Sequence, residues 1–111
     1  LVERRRGRAD LLQRALRALR LDNARVFSGD VSQLAHEQPQ SFDAVTARSF
    51  AASAITARWA GELLIVQGIL VVSEPPQQVA GRWPALILGP AGLIDLGQIG
   101  GIRRFQKVAS Q

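Results

Sequence analysis

Residues 69–76 read Ile69-Leu70-Val71-Val72-Ser73-Glu74-Pro75-Pro76. An unbroken aliphatic run closed by an acid and a proline pair is the pattern of a strand covered on both faces. A strand with one wet face would alternate apolar and polar residues instead. Strands covered on both faces belong to parallel sheets flanked by helices, so this run predicts an α/β fold. The segment before it, Ser53–Gly68 (SAITARWAGELLIVQG), predicts an amphipathic helix closed by Gly68.

Working outward, strands and helices alternate. Leu1-Val2-Glu3 predicts the end of a strand. ADLLQRALRAL predicts a helix with Leu12, Ala15, Leu16 and Leu19 on one face and Asp10, Arg14 and Arg17 on another, ended by Leu21-Asp22-Asn23. ARVFSGD predicts a strand closing at Gly29-Asp30, and VSQLAHEQ a short helix or turn. SFDAVTARSF carries a strand centred on Ala44 to Ala47. Trp83 to Leu88 predicts a short helix broken by Gly89-Pro90. Gly92 to Gly101 is glycine-rich and loosely apolar, and IRRFQKV alternates like an exposed strand. There is no repeat, low-complexity block or linker.

Composition bounds the function. The 111 residues suit one domain with a modest core, and 47% hydrophobic content is globular. With no cysteine, disulfides, thiolate metal sites and cysteine nucleophiles are excluded. No apolar run reaches the roughly 18 residues of a membrane span, and no signal peptide is visible. The expected setting is cytoplasmic, with no membrane partner. The net charge is +5, carried by arginine except for Lys107. That balance suits a nucleic-acid partner, although a GC-rich genome yields the same composition.

In parallel sheets, ligands bind beyond the carboxyl ends of the strands. The residues at those ends are Glu3, Asp30, Arg48 and Glu74. A carboxylate at a strand tip can accept bonds from both hydroxyls of a ribose, or it can be a surface acid paired with Arg4, Arg5 or Arg6. Asp30 can accept from an adenine amino group, with the following amides reading the ring edge, or it can cap the next helix. His36, the lone histidine, sits in a polar AHEQ stretch and reads as a surface residue. Trp59 and Trp83 read as core. Arg14, Arg17, Arg20, Arg103, Arg104 and Lys107 read as solvated faces that could meet phosphate.

LVERRRGRADLL, the GDVSQL step and FDAVTARSFA together resemble the GidB-type bacterial small-subunit ribosomal RNA guanine-N7 methyltransferases, within the class I S-adenosylmethionine-dependent methyltransferases. The ARSF piece is the most specific part, and the likeness is clearest from Leu1 to Glu74. The resemblance implies a Rossmann-like α/β fold, mostly parallel with an antiparallel last strand. It makes the cofactor S-adenosyl-L-methionine and the substrate small-subunit ribosomal RNA. It assigns Glu3, Arg4 and Arg5 to the ribose corner, Asp30, Val31 and Ser32 to the adenine, and Arg48 to cofactor and active site. Phe50 is the candidate for stacking a target base. No catalytic acid, base or metal ligand is implied. The intact relative is expected to be a monomer.

Three features depart from the family. Ser32 stands where a glutamate is usual. Ser73-Glu74-Pro75-Pro76 replaces a lysine-glycine pair, which sets an acid where RNA is expected to lie. No glycine-rich loop precedes Leu1, so the expectation for residues 1–111 is the C-terminal portion of a methyltransferase domain, lacking its first strand and the glycine-rich loop that in the family holds the methionine end of the cofactor. Two rivals stay open: an inactive or degenerate methyltransferase fragment, and a nicotinamide-dinucleotide oxidoreductase fragment, whose second strand also ends in a ribose-binding acid.

Overall fold

The computed structural model describes residues 1–48, 52–74 and 82–109, which fall into two compact units, Leu1–Glu37 and Gln38–Gln111. The first unit holds β1 (Val2–Glu3), α1 (Arg6–Ala18), β2 (Phe27–Ser28) and α2 (Val31–Glu37). The second holds β3 (Phe42–Arg48), α3 (Ser53–Leu63), β4 (Leu64–Ser73), α4 (Ala85–Ala91), β5 (Leu93–Ile99) and β6 (Ile102–Lys107).

In the first unit β1 and β2 run parallel, with Val2 opposite Phe27 and Glu3 opposite Ser28. The Phe27 amide donates to the Leu1 carbonyl at 2.7 Å and the Gly29 amide to the Glu3 carbonyl at 2.9 Å. β2 is shorter than ARVFSGD predicts, because the ladder catches only the two residues facing β1. Leucine, alanine, arginine and glutamine are strong helix formers and carry α1. Its inward stripe is Ala9, Leu12 and Leu16, whereas Ala15 and Leu19 face solvent. The expected stripe is therefore rotated toward Ala9, whose small side chain is fully buried.

α1 ends in a Schellman motif. The Leu21 amide donates back to Leu16 at 2.9 Å and the Arg20 amide to Arg17 at 3.1 Å. That closure needs a left-handed residue after the last turn, a position glycine usually fills. Here it is Arg20, at φ 55°.

In the second unit the strand order is β3-β4-β6-β5. β3 and β4 are parallel, and β6 runs antiparallel to both β4 and β5. The core forms where Leu70 and Val72 of β4, Phe105 of β6 and Leu93 of β5 meet Ala57 and Ala60 of α3 and Leu88 of α4. Phe105 is fully buried, lies opposite Leu70, and stacks at 54° on Trp83 with ring centroids 4.7 Å apart. IRRFQKV is thus an interior strand rather than an exposed one. The decisive run is buried chiefly on one face: Leu70 and Val72 are sealed, while Ile69 and Val71 are half-buried.

Three boundaries differ from the sequence-based expectation. α3 stops at Leu63, not Gly68, because the β-branched pair Ile65-Val66 opposes helix and Leu64 is needed in the core. β4 starts at once but irregularly, with register passing from Phe42↔Leu64 to Ala44↔Ile69 and Gln67 at φ 72°. α4 runs through Gly89-Pro90 to Ala91, since Pro90 forfeits one backbone bond late in a short helix, and Gly92 at φ 73° closes it. Gly92–Gly101 contains a true strand, β5, which bends at Gly97. Trp83 packs against the core as expected. Trp59 is only half-buried, with the Arg58 guanidinium 4.5 Å from its ring centroid.

Helices α3 and α4 touch at Gly61, where an added Cβ would collide with the Ala91 carbonyl oxygen. In an open helix Gly→Ala stabilises by about 1 kcal/mol. Here Gly61→Ala is expected to destabilise by roughly 1–3 kcal/mol, because the helices must separate. Urea denaturation monitored by circular dichroism checks the sign.

Candidate active site

Two parallel strands that end side by side bring their following residues together. Glu3 closes β1, and Gly29-Asp30 follows β2 directly. Glu3 is half-buried, and its Oε1 accepts the Arg5 amide at 3.0 Å. This bond fixes the carboxylate ahead of α1, where the positive helix end favours it. Among the described residues Oε2 has no partner, so it keeps the capacity to accept from a donor such as a ribose hydroxyl.

Asp30 is exposed and caps α2. Its Oδ1 accepts the Ser32 amide at 3.0 Å, while Gln33 reaches back so that its Oε1 accepts the Asp30 amide at 2.9 Å. This reciprocal pair works as a capping box does, with the cap carboxylate on the second rather than the third amide of the helix. Gly29 leaves room for it, since a Cβ there would stand 2.5 Å from Gln33 Oε1. The Ser32 amide bond holds the Asp30 carboxyl below its ordinary value of 3.8, with a smaller pull from the Arg4 cation. The cap is therefore fully formed above the ordinary carboxylate range and weakens as pH falls through the lowered value. The Ser32 amide proton shift, followed by NMR, is expected to titrate with a midpoint below 3.8.

The capping alternative for Asp30 is thus realised. It occupies the Ser32 amide and one Asp30 oxygen, leaving Oδ2 and the Val31 amide, which has no acceptor among the described residues. Glu3, Arg4, Arg5, Asp30, Val31 and Ser32 all lie at this one corner. An adenosine moiety fits the donor set: acceptors for hydroxyls and an amino group, and an amide for a ring nitrogen.

Arg48 ends β3 in the second unit, opposite Ser73 of the parallel β4. It is exposed and lines a shallow hollow of about 320 Å³ with Thr46, Ala47, Val71 and Ser73. Phe50 and Ser49, the rest of the ARSF motif, lie outside the described residues.

Glu74, next after β4, is not the solvent-facing acid that the sequence implies. Its side chain is only 6% exposed. Oε2 takes Arg82 at 2.7 Å and Oε1 takes the Trp83 indole N–H at 2.7 Å. Arg103 brings its Nε to 3.7 Å from Oε1, an ionic contact too long for a hydrogen bond, and binds Asp95 at 2.6 Å and Gln98 at 3.0 Å through its other nitrogens. Sequence alone missed this cluster: the β4–β6–β5 pairing brings Arg103 to Glu74 and Asp95 to Arg103, and Arg82 and Trp83 reach Glu74 from the segment before α4. Arg103 is thereby a structural ion-pair partner rather than a free phosphate contact. His36 is exposed, as expected. Among the described residues no group of acids and histidine could hold a metal ion, and no helix is long and apolar enough to cross a membrane.

The strand order with an antiparallel β6 between β4 and β5 is that of the class I methyltransferases, a Rossmann-like α/β fold. Solved structures of similar fold include the two that follow. The cyclase SpnF superposes with a TM-score of 0.64 at 18% identity, over 86% of this chain and 42% of its own. A Galdieria sulphuraria protein assigned as a sarcosine dimethylglycine methyltransferase superposes with a TM-score of 0.64 at 11% identity, over 86% of this chain and 45% of its own. The chain thus spans less than half the length of each. No family model matches the chain, and no curated protein sequence matches it.

Proposed function

We propose that this chain carries the adenosine-binding corner of an S-adenosylmethionine-dependent methyltransferase, and that the substrate is N7 of a guanine in small-subunit ribosomal RNA. The observation that carries the cofactor assignment is Glu3, whose carboxylate is pinned by the Arg5 amide at the tip of β1 and keeps one oxygen open beside Asp30. A nicotinamide-dinucleotide fold also places an acid there, but its sheet is mostly parallel with any antiparallel strand at an edge, whereas β6 lies antiparallel between β4 and β5.

When bound, the cofactor supplies an activated methyl group on a sulfonium. Within the first unit Glu3 would orient the ribose, and the Val31 amide and Asp30 Oδ2 would meet the adenine; in the second unit Arg48 offers a cation for a substrate phosphate. In such a transfer the guanine N7 lone pair would form the N–CH3 bond as the S–CH3 bond breaks and the neutral thioether leaves; N7 loses no proton, so the step would need no general base. The RNA assignment is supported by the resemblance of Phe42–Phe50 and by the net charge of +5. Glu74, the residue that opposed it, is neutralised by Arg82 and Arg103 and held away from solvent.

An NMR titration with S-adenosylmethionine is expected to shift the amides of Glu3, Asp30, Val31 and Ser32 first. The same titration with NAD is expected to shift them less. No shift at these amides with saturating S-adenosylmethionine would end the cofactor assignment.

A further inference from the structure

We propose that the groove at the C-terminal end of α1 holds the phosphate backbone of the RNA. This rests on the RNA reading above and adds a docking surface to it. The groove is open, about 690 Å³, with Leu16 and Val26 among its lining and Arg17, Arg20 and Arg25 at its walls. Asp22 is the one acid in its lining. All three arginines are exposed, and among the described residues none of their guanidiniums makes an ion pair or a hydrogen bond.

Arg20 is the second, independent mark. It occupies the left-handed position that closes the Schellman turn, at φ 55°. Glycine would fill that position without steric penalty, so an arginine there works against the fold's own preference. A residue that breaks a local rule without a packing return is where a function is expected. Arg20 buries nothing and pairs with nothing, and its left-handed backbone sets it in the groove beside Arg17 and Arg25.

The chemistry selects the partner. Guanidinium forks bind phosphate oxygens in pairs and are weakly hydrated, so arginine walls favour a phosphodiester strand. The concave shape admits a strand, whereas a flat anionic membrane would meet arginines on a convex or planar face beside an apolar stripe.

The test uses the 111-residue chain and a fluorescein-labelled single-stranded RNA of mixed sequence. Anisotropy is measured from about 50 to about 200 mM potassium chloride. Replacing Arg17→Gln, Arg20→Gly and Arg25→Gln together is expected to flatten the slope of log affinity against log salt by about 2 units and to weaken binding roughly tenfold or more. Arg20→Gly alone is expected to flatten it by about 1 unit while raising the melting temperature, a combination that a purely structural Arg20 would not give. If the wild type binds RNA and the triple variant keeps its affinity and slope, the groove assignment falls and the RNA substrate stands. Binding of the wild type to neither RNA nor phosphatidylcholine–phosphatidylserine vesicles would overturn both. Preference for the vesicles would overturn the groove as an RNA surface.

Discussion

Glu3→Ala is expected to weaken S-adenosylmethionine binding by about 30- to 150-fold. The lost carboxylate would make two charge-assisted bonds to ribose, together about 2–3 kcal/mol at a half-buried site. At about 1.4 kcal/mol per factor of ten, that gives the stated range. Glu3→Gln keeps an acceptor for the Arg5 amide and one for the ribose, so about a tenfold loss is expected. Calorimetry or NMR titration gives both affinities. Unfolding should move little in either variant, since Glu3→Ala removes one exposed side-chain-to-backbone bond and Glu3→Gln none. Equal affinities for wild type and Glu3→Ala would remove Glu3 from the site.

Glu74→Ala is expected to act on stability instead, by about 2–3 kcal/mol. Breaking a fully buried ion pair costs about 3–5 kcal/mol, and the figure is reduced here because Arg82 and Arg103 keep 17% and 25% of their side-chain surface. The substitution leaves Arg82 and the Trp83 indole without their acceptor and removes one ionic contact from Arg103, which keeps Asp95 and Gln98, beside the Trp83–Phe105 contact that anchors the core. Glu74→Gln retains an acceptor for the indole and is expected to cost about half as much. Thermal unfolding followed by tryptophan fluorescence reads both effects, because Trp83 sits at the break. An unchanged melting temperature in Glu74→Ala would show the cluster to be energetically idle.

Glu3 and Glu74 show how differently two acids at strand tips behave. In sequence they look alike, each following a short apolar run. Glu3 is answered by a backbone amide two residues on, a local bond that the short step from strand to helix makes available. Glu74 is answered by arginines eight and twenty-nine positions away. The first could be foreseen from neighbours; of the second pair, Arg82 comes from the segment before α4, and Arg103 depended on β6 entering the sheet antiparallel between β4 and β5.

The α/β class, the alternation of elements, the strand ends and the cap at Asp30 were all legible in the chain, because each rests on local causes: side-chain period, helix-capping chemistry and glycine punctuation. The tertiary structure decided the rest. It buried Phe105 within a strand that reads as exposed, ended α3 at Leu63 because Leu64 was needed in the core, carried α4 through Pro90, and turned Glu74 inward. Those outcomes depend on partners distant in sequence, and only the packed chain brings such partners within bonding distance.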